Sequence, residues 1–236
     1  MNPRPAYAFL VTCEHGGHRI PARYRACFAG QEALLHGHRG YDPGALTMAR
    51  DLARRLHAPL LHATVSRLLV DLNRSVGHPH LHAEVIRQLP QAQRQQILAR
   101  YYLPYRAGAE AVVARAVAQG QRVIHLSSHS FTPVLDGVVR NVDIGLLYDP
   151  ARPREAALCR AWQASLKRLA PTLRVRRNAP YKGIADGHTA GLRRRFAAEG
   201  YVGIELEINQ GFFLAGGAPW RRLRALVLEA LEAALP

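Results

Sequence analysis

Short apolar runs and longer amphipathic stretches alternate along this chain, a rhythm that predicts strands followed by helices. Residues 7–13, Tyr-Ala-Phe-Leu-Val-Thr-Cys, are rich in strand formers and lead to Gly16-Gly17, which marks a buried strand running into a loop. From Pro43 the apolar residues recur at helical spacing through Leu56, with Asp42 as candidate N-cap, Pro43 at the first helical position and Pro59 as the stop. Two short strands follow near 60–64 and 67–72, the second delivering Asp71, Asn73 and Arg74 to its end. Helical periodicity covers 82–119, interrupted at Pro90 and Pro104, and Gly120 suits a C-cap. Arg-Val-Ile-His-Leu-Ser, from residue 122, makes another strand that ends at His129. Beyond it the pattern predicts strands at 142–148 and 173–177 around a helix at 153–169 that Pro153 opens. Residues 178–189 form the longest polar, Gly-rich connection, and loops of that kind inside compact domains usually carry function.

Residues 201–209 alternate cleanly, with Ile204, Leu206 and Ile208 on one face and Glu205, Glu207 and Asn209 on the other, and an amphipathic helix covers 218–235. Strands alternating with helices predict a three-layer α/β domain around a mostly parallel sheet. At 236 residues, 1–236 reads as one domain with one sizeable core.

Composition narrows the classes. No stretch approaches the roughly 18 apolar residues needed to span a bilayer, and the first residues show no apolar leader with a cleavage site, so a soluble, cytoplasmic protein is expected. Cys13, Cys27 and Cys159 are odd in number and widely spaced, which argues against a disulfide framework and for reduced, structural thiols. The formal charge of +15 admits a nucleic-acid binder. Its distribution argues otherwise: only Lys167 and Lys182 are lysines, and most arginines sit singly on polar helix faces, as at Arg50, Arg54 and Arg55. The densest cluster, Arg193, Arg194 and Arg195, follows the long loop and would help attract an anionic substrate.

Candidate chemistry sits at strand ends. His15 and His129 each follow an apolar strand and are flanked by small residues that let a ligand come close. In an open α/β sheet the binding crevice lies at the carboxyl ends of the strands, so both suit metal ligation. His36, His57, His62, His78, His80 and His82 lack that context and read as surface residues or hydrogen-bonded fillers. For a third ligand His18 and Asp42 compete, with Glu14 behind them. Carboxylates on a buried strand are costly unless they serve a cation or a hydrogen-bond network, so at least one of Glu205 and Glu207 is expected to face the metal cleft as a proton-transfer group. Asn73 and Arg74 would together clamp a carboxylate.

These segments resemble the N-formylglutamate amidohydrolase family, a branch of the zinc-carboxypeptidase-like hydrolases that also includes aspartoacylase and succinylglutamate desuccinylase. The resemblance spans Thr-Cys-Glu-His-Gly-Gly-His-Arg-Ile-Pro at 12–21, Tyr-Asp-Pro-Gly-Ala at 41–45, Ser-Arg-Leu-Leu-Val-Asp-Leu-Asn-Arg at 66–74, His-Ser at 129–130 and Ile-Glu-Leu-Glu-Ile-Asn-Gln at 204–210. It implies a three-layer phosphorylase/hydrolase-like fold with a mixed, mostly parallel sheet, and one zinc per chain. His15, Asp42 and His129 would be its ligands, His18 standing where the superfamily usually offers a Glu. Glu207, in better register with the following Asn-Gln than Glu205, would be the general base. Arg74, Asn73 and Arg67 would hold the substrate carboxylate, and Tyr181 is similar to the mobile tyrosine of carboxypeptidases. The implied substrate is an N-acyl acidic amino acid such as N-formyl-L-glutamate, cleaved to formate and glutamate at the end of histidine degradation. A related deacylase or carboxypeptidase, and a non-catalytic basic nucleic-acid-binding protein on the same scaffold, are the alternatives.

Overall fold

Strand β3 (Arg122–Phe131) is buried over all ten residues and forms the axis of the molecule. The structure, a computed structural model, describes residues 7–236; the leader-free reading of the first residues lies largely outside them. On one side β3 pairs in parallel with β1 (Tyr7–Cys13), which pairs with β2 (Leu60–His62). On the other it pairs in parallel with β6 (Tyr201–Asn209). Strand β4 (Ile144–Leu147) runs antiparallel to β6 and parallel to β5 (Val175–Arg177). The order is therefore β2-β1-β3-β6-β4-β5, a mostly parallel mixed sheet with helices around it, as the α/β pattern predicts.

Alternation along the strands builds two unlike faces. Ile124 and Leu126 of β3, with Val202, Ile204, Leu206 and Ile208 of β6, pack into a core with α1 (Ala45–Arg55), α3 (Pro153–Leu169) and α5 (Gly217–Glu232). The other face carries Leu10, Val123 and Tyr201 against α2 (Leu103–Ala118) and α4 (His188–Arg195). Towards the carboxyl ends that second face turns polar. In β3 it presents His125, Ser127 and His129, which are in register with Gly203, Glu205 and Glu207 of β6. All of these polar side chains are buried.

Several boundaries depart from the sequence reading. Residues 67–72 are not a strand: they form turns, and Leu68, Leu69, Val70 and Leu72 bury into a third cluster with Tyr24, Phe28, Ile86 and Ile97. An apolar run satisfies burial in either conformation, and here packing against Ile86 and Ile97 buries it without a ladder. Strand β3 continues two residues past His129, pairing Phe131 with Asn209. Pro104 does not break its helix. A wide π turn at Leu98–Tyr102 joins Gln91–Ile97 to α2 and absorbs the missing N–H in the first turn. The long loop closes at Gly187 because α4 begins at His188. Arg193, Arg194 and Arg195 do not act as one patch: Arg193 is buried against Glu155 at 3.0 Å, while the other two are exposed.

Candidate metal centre and active-site cleft

The cleft lies where β1, β3 and β6 end. His15 leaves β1 through a turn held by the Asp42 N–H, which donates to the His15 carbonyl at 2.9 Å. Gly16 and Gly17 let that turn press on the chain after β2: a Cβ on Gly17 would meet Thr64 backbone atoms at 2.8 and 2.9 Å. Asp42 does not cap α1 with its side chain. Gly44, at φ +84°, reverses the chain instead, and a Cβ there would meet the Phe213 ring at 2.9 Å. Ser128 and Ser130 of β3 donate to the Ala45 and Pro43 carbonyls at 2.9 and 2.8 Å, which pins the Asp42 turn over the strand.

This arrangement brings His15, Asp42 and His129 together, all buried, with one potential ligand atom from each within 4.8 Å of the others. Asp42 Oδ2 lies 3.3 Å from His15 Nδ1 and 2.9 Å from His129 Nδ1. The far nitrogens rest on carboxylates. His15 Nε2 is 2.7 Å from Asp71 Oδ1, and His129 Nε2 is 3.1 Å from Glu14 Oε2 and 2.9 Å from Ser127 Oγ. A carboxylate on the outer nitrogen orients the ring and makes the inner nitrogen a better ligand, as is general for metal-binding histidines.

Charge is concentrated here. Burial works to raise the Asp42 and Asp71 carboxyls, but His15 and Arg67 beside them override it and hold both ionised. Burial likewise opposes ionisation of Glu14, and hydrogen bonds from His129 and His188 override it. His129 would lose its proton to burial alone; Asp42 and Glu14 hold it well above the usual imidazole range. Glu207 differs. Burial drives its carboxyl up to about 8, with Asp42 and Glu205 adding to the rise against His129, and its Oε2 has no hydrogen-bond partner. Five buried carboxyls, Glu14, Asp42, Asp71, Glu205 and Glu207, thus converge on one small region. Buried acids in that number are costly without a cation, and two imidazoles with a carboxylate suit a divalent ion of the zinc type.

The other candidate residues are distributed around a cleft of about 180 Å³, lined by Arg67, Asn73, Arg74, Tyr181, Glu205 and Glu207 together with the three grouped residues. That is below the roughly 300–1,000 Å³ of sites for drug-sized ligands. Glu205 accepts from Thr189 Oγ. Arg67 donates to Asp71 from Nε and Nη2, at 3.2 and 2.8 Å, and to Asp42 from Nη1 at 3.4 Å, so its fork serves the buried acids. Arg74 donates to the Asp186 carbonyl at 2.9 Å. The Asn73 carbonyl oxygen accepts from the His188 N–H at 2.6 Å. Tyr181 is 43 % exposed at the mouth, its hydroxyl accepting from Arg140 at 2.8 Å. His18 is outside the group, with its ring against His36 and Tyr41 at centroid distances of 4.3 and 4.8 Å. His82 is buried, its Nδ1 2.6 Å from the Leu69 carbonyl, as a hydrogen-bonded filler should be.

Sequence reasoning misses the supports. Glu14, weighed only as a ligand, takes four contacts: Ser127 and His129 on one oxygen, Tyr105 and His188 on the other. Asp71 carries no role in the sequence beyond its expected place at a strand end. Lys182, also lining the cleft, stands out there only as one of two lysines. These partners lie 56 to 174 residues apart in the chain, and no local pattern carries such a pairing.

Fold and site together define an α/β protein with an enzyme's cleft: acids, imidazoles and cations gathered at the carboxyl ends of central strands. The model of the N-formylglutamate amidohydrolase family matches residues 7–214, and the chain belongs to that family of hydrolases. No curated protein sequence matches it. Among solved structures it is similar to the gene product Atu2144 from Agrobacterium tumefaciens, at 30% identity and a TM-score of 0.82, over 96% of this chain and 89% of the other. It also shares its fold with the N-formylglutamate amidohydrolase from Ralstonia eutropha JMP134, at 20% identity and a TM-score of 0.68, over 98% of this chain and 94% of the other. None of the described helices is long and apolar enough to cross a membrane.

Proposed function

We propose that this protein is a metal-dependent amidohydrolase that removes the N-formyl, or another N-acyl, group from an acidic amino acid such as N-formyl-L-glutamate, releasing formate and glutamate. The observation that carries this reading is the pair of histidines whose inner nitrogens converge on Asp42 while their outer nitrogens rest on Asp71 and Glu14. His15, Asp42 and His129 would hold one zinc ion; His18, turned to His36 and Tyr41, would not take part. When bound, zinc would supply Lewis acidity, polarising the acyl carbonyl and acidifying water near neutral pH.

The chain's own groups then divide the work. Glu207, unpartnered at Oε2 and beside His129 in the sheet, accepts a proton from the attacking water and returns it to the departing amine nitrogen as the C–N bond breaks. A nearby dication would lower its raised proton affinity, which suits a group that must lose and regain a proton. Arg74 and Lys182 supply positive charge for substrate carboxylates, and the Asn73 amide, its oxygen occupied by His188, has its NH₂ free to donate. Arg67 holds Asp42 and Asp71 in place and faces the cleft with its remaining surface. Tyr181 covers the mouth and, accepting from Arg140 through its oxygen, keeps its O–H proton to donate to bound substrate. Glu205, tied to Thr189, shapes the wall. The three free cysteines fit the reducing cytoplasm, where we place the protein.

Metal analysis of the purified protein coupled to formate release from N-formylglutamate, before and after chelation, tests the proposal. About one zinc per chain with chelator-sensitive formate release supports it. Bound metal without formate moves the substrate to another N-acyl amino acid, and failure to take up zinc overturns the centre. A non-catalytic polynucleotide binder would have no use for five buried acids in and behind its cleft.

A further inference from the structure

A second groove, about 490 Å³, lies between α2, α4 and the turn at 75–76. It adjoins the cleft through Ser75, which lines the groove while its N–H donates to the cleft residue Asp186 at 2.8 Å. Three arginines face it. Arg195 is paired with Glu110. Arg106 and Arg194 have no carboxylate partner among the described residues. Arg106 donates from Nη1 to the Leu72 carbonyl at 3.1 Å and stacks over the Tyr102 ring at 5.5 Å; Arg194 reaches Ser75 Oγ only at 3.4 Å.

Gly191 explains how the two guanidinium groups come together. A Cβ at this mid-helix position would lie 2.3 Å from Arg106 Nη2 and 3.8 Å from Arg194 Nη2, so the two nitrogens are at most about 6 Å apart, the sum of those distances. A glycine inside a helix is unfavourable relative to alanine, and here its bare Cα seats Arg106. Two like charges so close, inside the Debye length of ~8 Å at physiological salt, repel unless an anion lies between them. The Tyr102 ring is buried under Arg106 and offers no face for a base, and Leu103 and Val76 give the groove apolar rims. That suits a compact ligand better than a strand of nucleic acid.

We propose that this groove is an anion site that holds a small soluble phosphate-type dianion, inorganic phosphate or a phosphate monoester, in the fork between Arg106 and Arg194. The site is independent of the metal centre. Calorimetric titration of the chelated full-length protein with inorganic phosphate and with glycerol phosphate, at constant ionic strength in chloride, tests it. Saturable binding of one dianion per chain is expected, weakened at least about tenfold by Arg194→Gln, which removes a charged donor from an exposed position. Gly191→Ala, which dislodges Arg106, should weaken it similarly. Lys182→Ala, in the cleft, should leave it within twofold. If Gly191→Ala fails to fold, Arg194→Gln alone decides. Absence of saturable binding would overturn the site, as would binding lost in Lys182→Ala and kept in Arg194→Gln, which would put the dianion in the cleft. Preference for phosphatidic-acid vesicles or a single-stranded oligonucleotide over the soluble dianions would overturn the assigned ligand.

Discussion

Replacing Glu207 with glutamine separates the energetics of the empty centre from its chemistry. Buried beside Asp42 and Glu205, the Glu207 carboxyl binds its proton up to about pH 8, against 4.5 for an ordinary glutamate. A folded state that binds the proton more tightly than the unfolded chain is favoured at low pH. That advantage is whole below pH 4.5, declines as pH rises because the unfolded chain releases its proton first, and is exhausted above pH 8. Each pH unit in that window is worth about 1.4 kcal/mol. From pH 4.5 to 7 the metal-free wild type should therefore lose about 3 kcal/mol through this group, and about 5 kcal/mol by pH well above 8. The amide of Glu207→Gln cannot titrate. Urea unfolding of both proteins in chelator at pH 5, 6, 7 and 8 should show the variant gaining on the wild type steadily as pH rises, and a stability difference that does not change with pH would refute the reasoning. With zinc restored, the variant should retain metal while formate release falls by roughly 10²–10⁴-fold, the worth of a positioned proton-transfer group.

The outer carboxylates give a separate test: Asp71→Asn and Glu14→Gln should each weaken zinc binding about 10–100-fold in a chelator competition, although neither touches the ion. Arg74→Ala should raise KM for an N-acyl dicarboxylic substrate about tenfold or more with a smaller change in kcat, read from initial rates. Trp162 is fully buried between α3 and α5, donating to the Val227 carbonyl at 3.2 Å, so Trp162→Ala should cost about 3–5 kcal/mol in urea unfolding while leaving zinc stoichiometry unchanged.

The strands that carry the centre are legible in the sequence because each combines β-branched or aromatic residues with a sharp change to polar residues at its end, as in 7–13 and 201–209. Glu205 and Glu207 stand out for the same reason: two acids alternating with Ile204, Leu206 and Ile208 leave one face of a buried strand charged. The apolar run at 67–72 misleads because periodicity reports burial, and turns packed on Ile86 and Ile97 bury Leu69 as well as a sheet would. His18 shares the short spacing of a ligand pair with His15, but close backbone contact at Gly16 and Gly17 carries the chain past the centre before His18 arrives. Asp42 is conspicuous for a helix start it does not cap; its side chain is free for the histidines because Gly44 makes the reversal. The embrace of Glu14 by Tyr105, Ser127, His129 and His188 is invisible in the sequence, since it exists only once four distant segments have met.

The strand order has a consequence for how the molecule is made. β6, the last of the sheet's strands in chain order, is inserted between β3 and β4. Without it the sheet consists of two separate pieces, β2-β1-β3 and β4-β5, with no ladder between them. A nascent chain that has reached residue 200 already contains His15, Asp42 and His129 but has neither the bridge between the halves nor Glu207. The three residues that could hold a metal ion and the proposed proton-transfer group thus enter the fold at different stages, and the cleft is complete only when β6 closes the sheet.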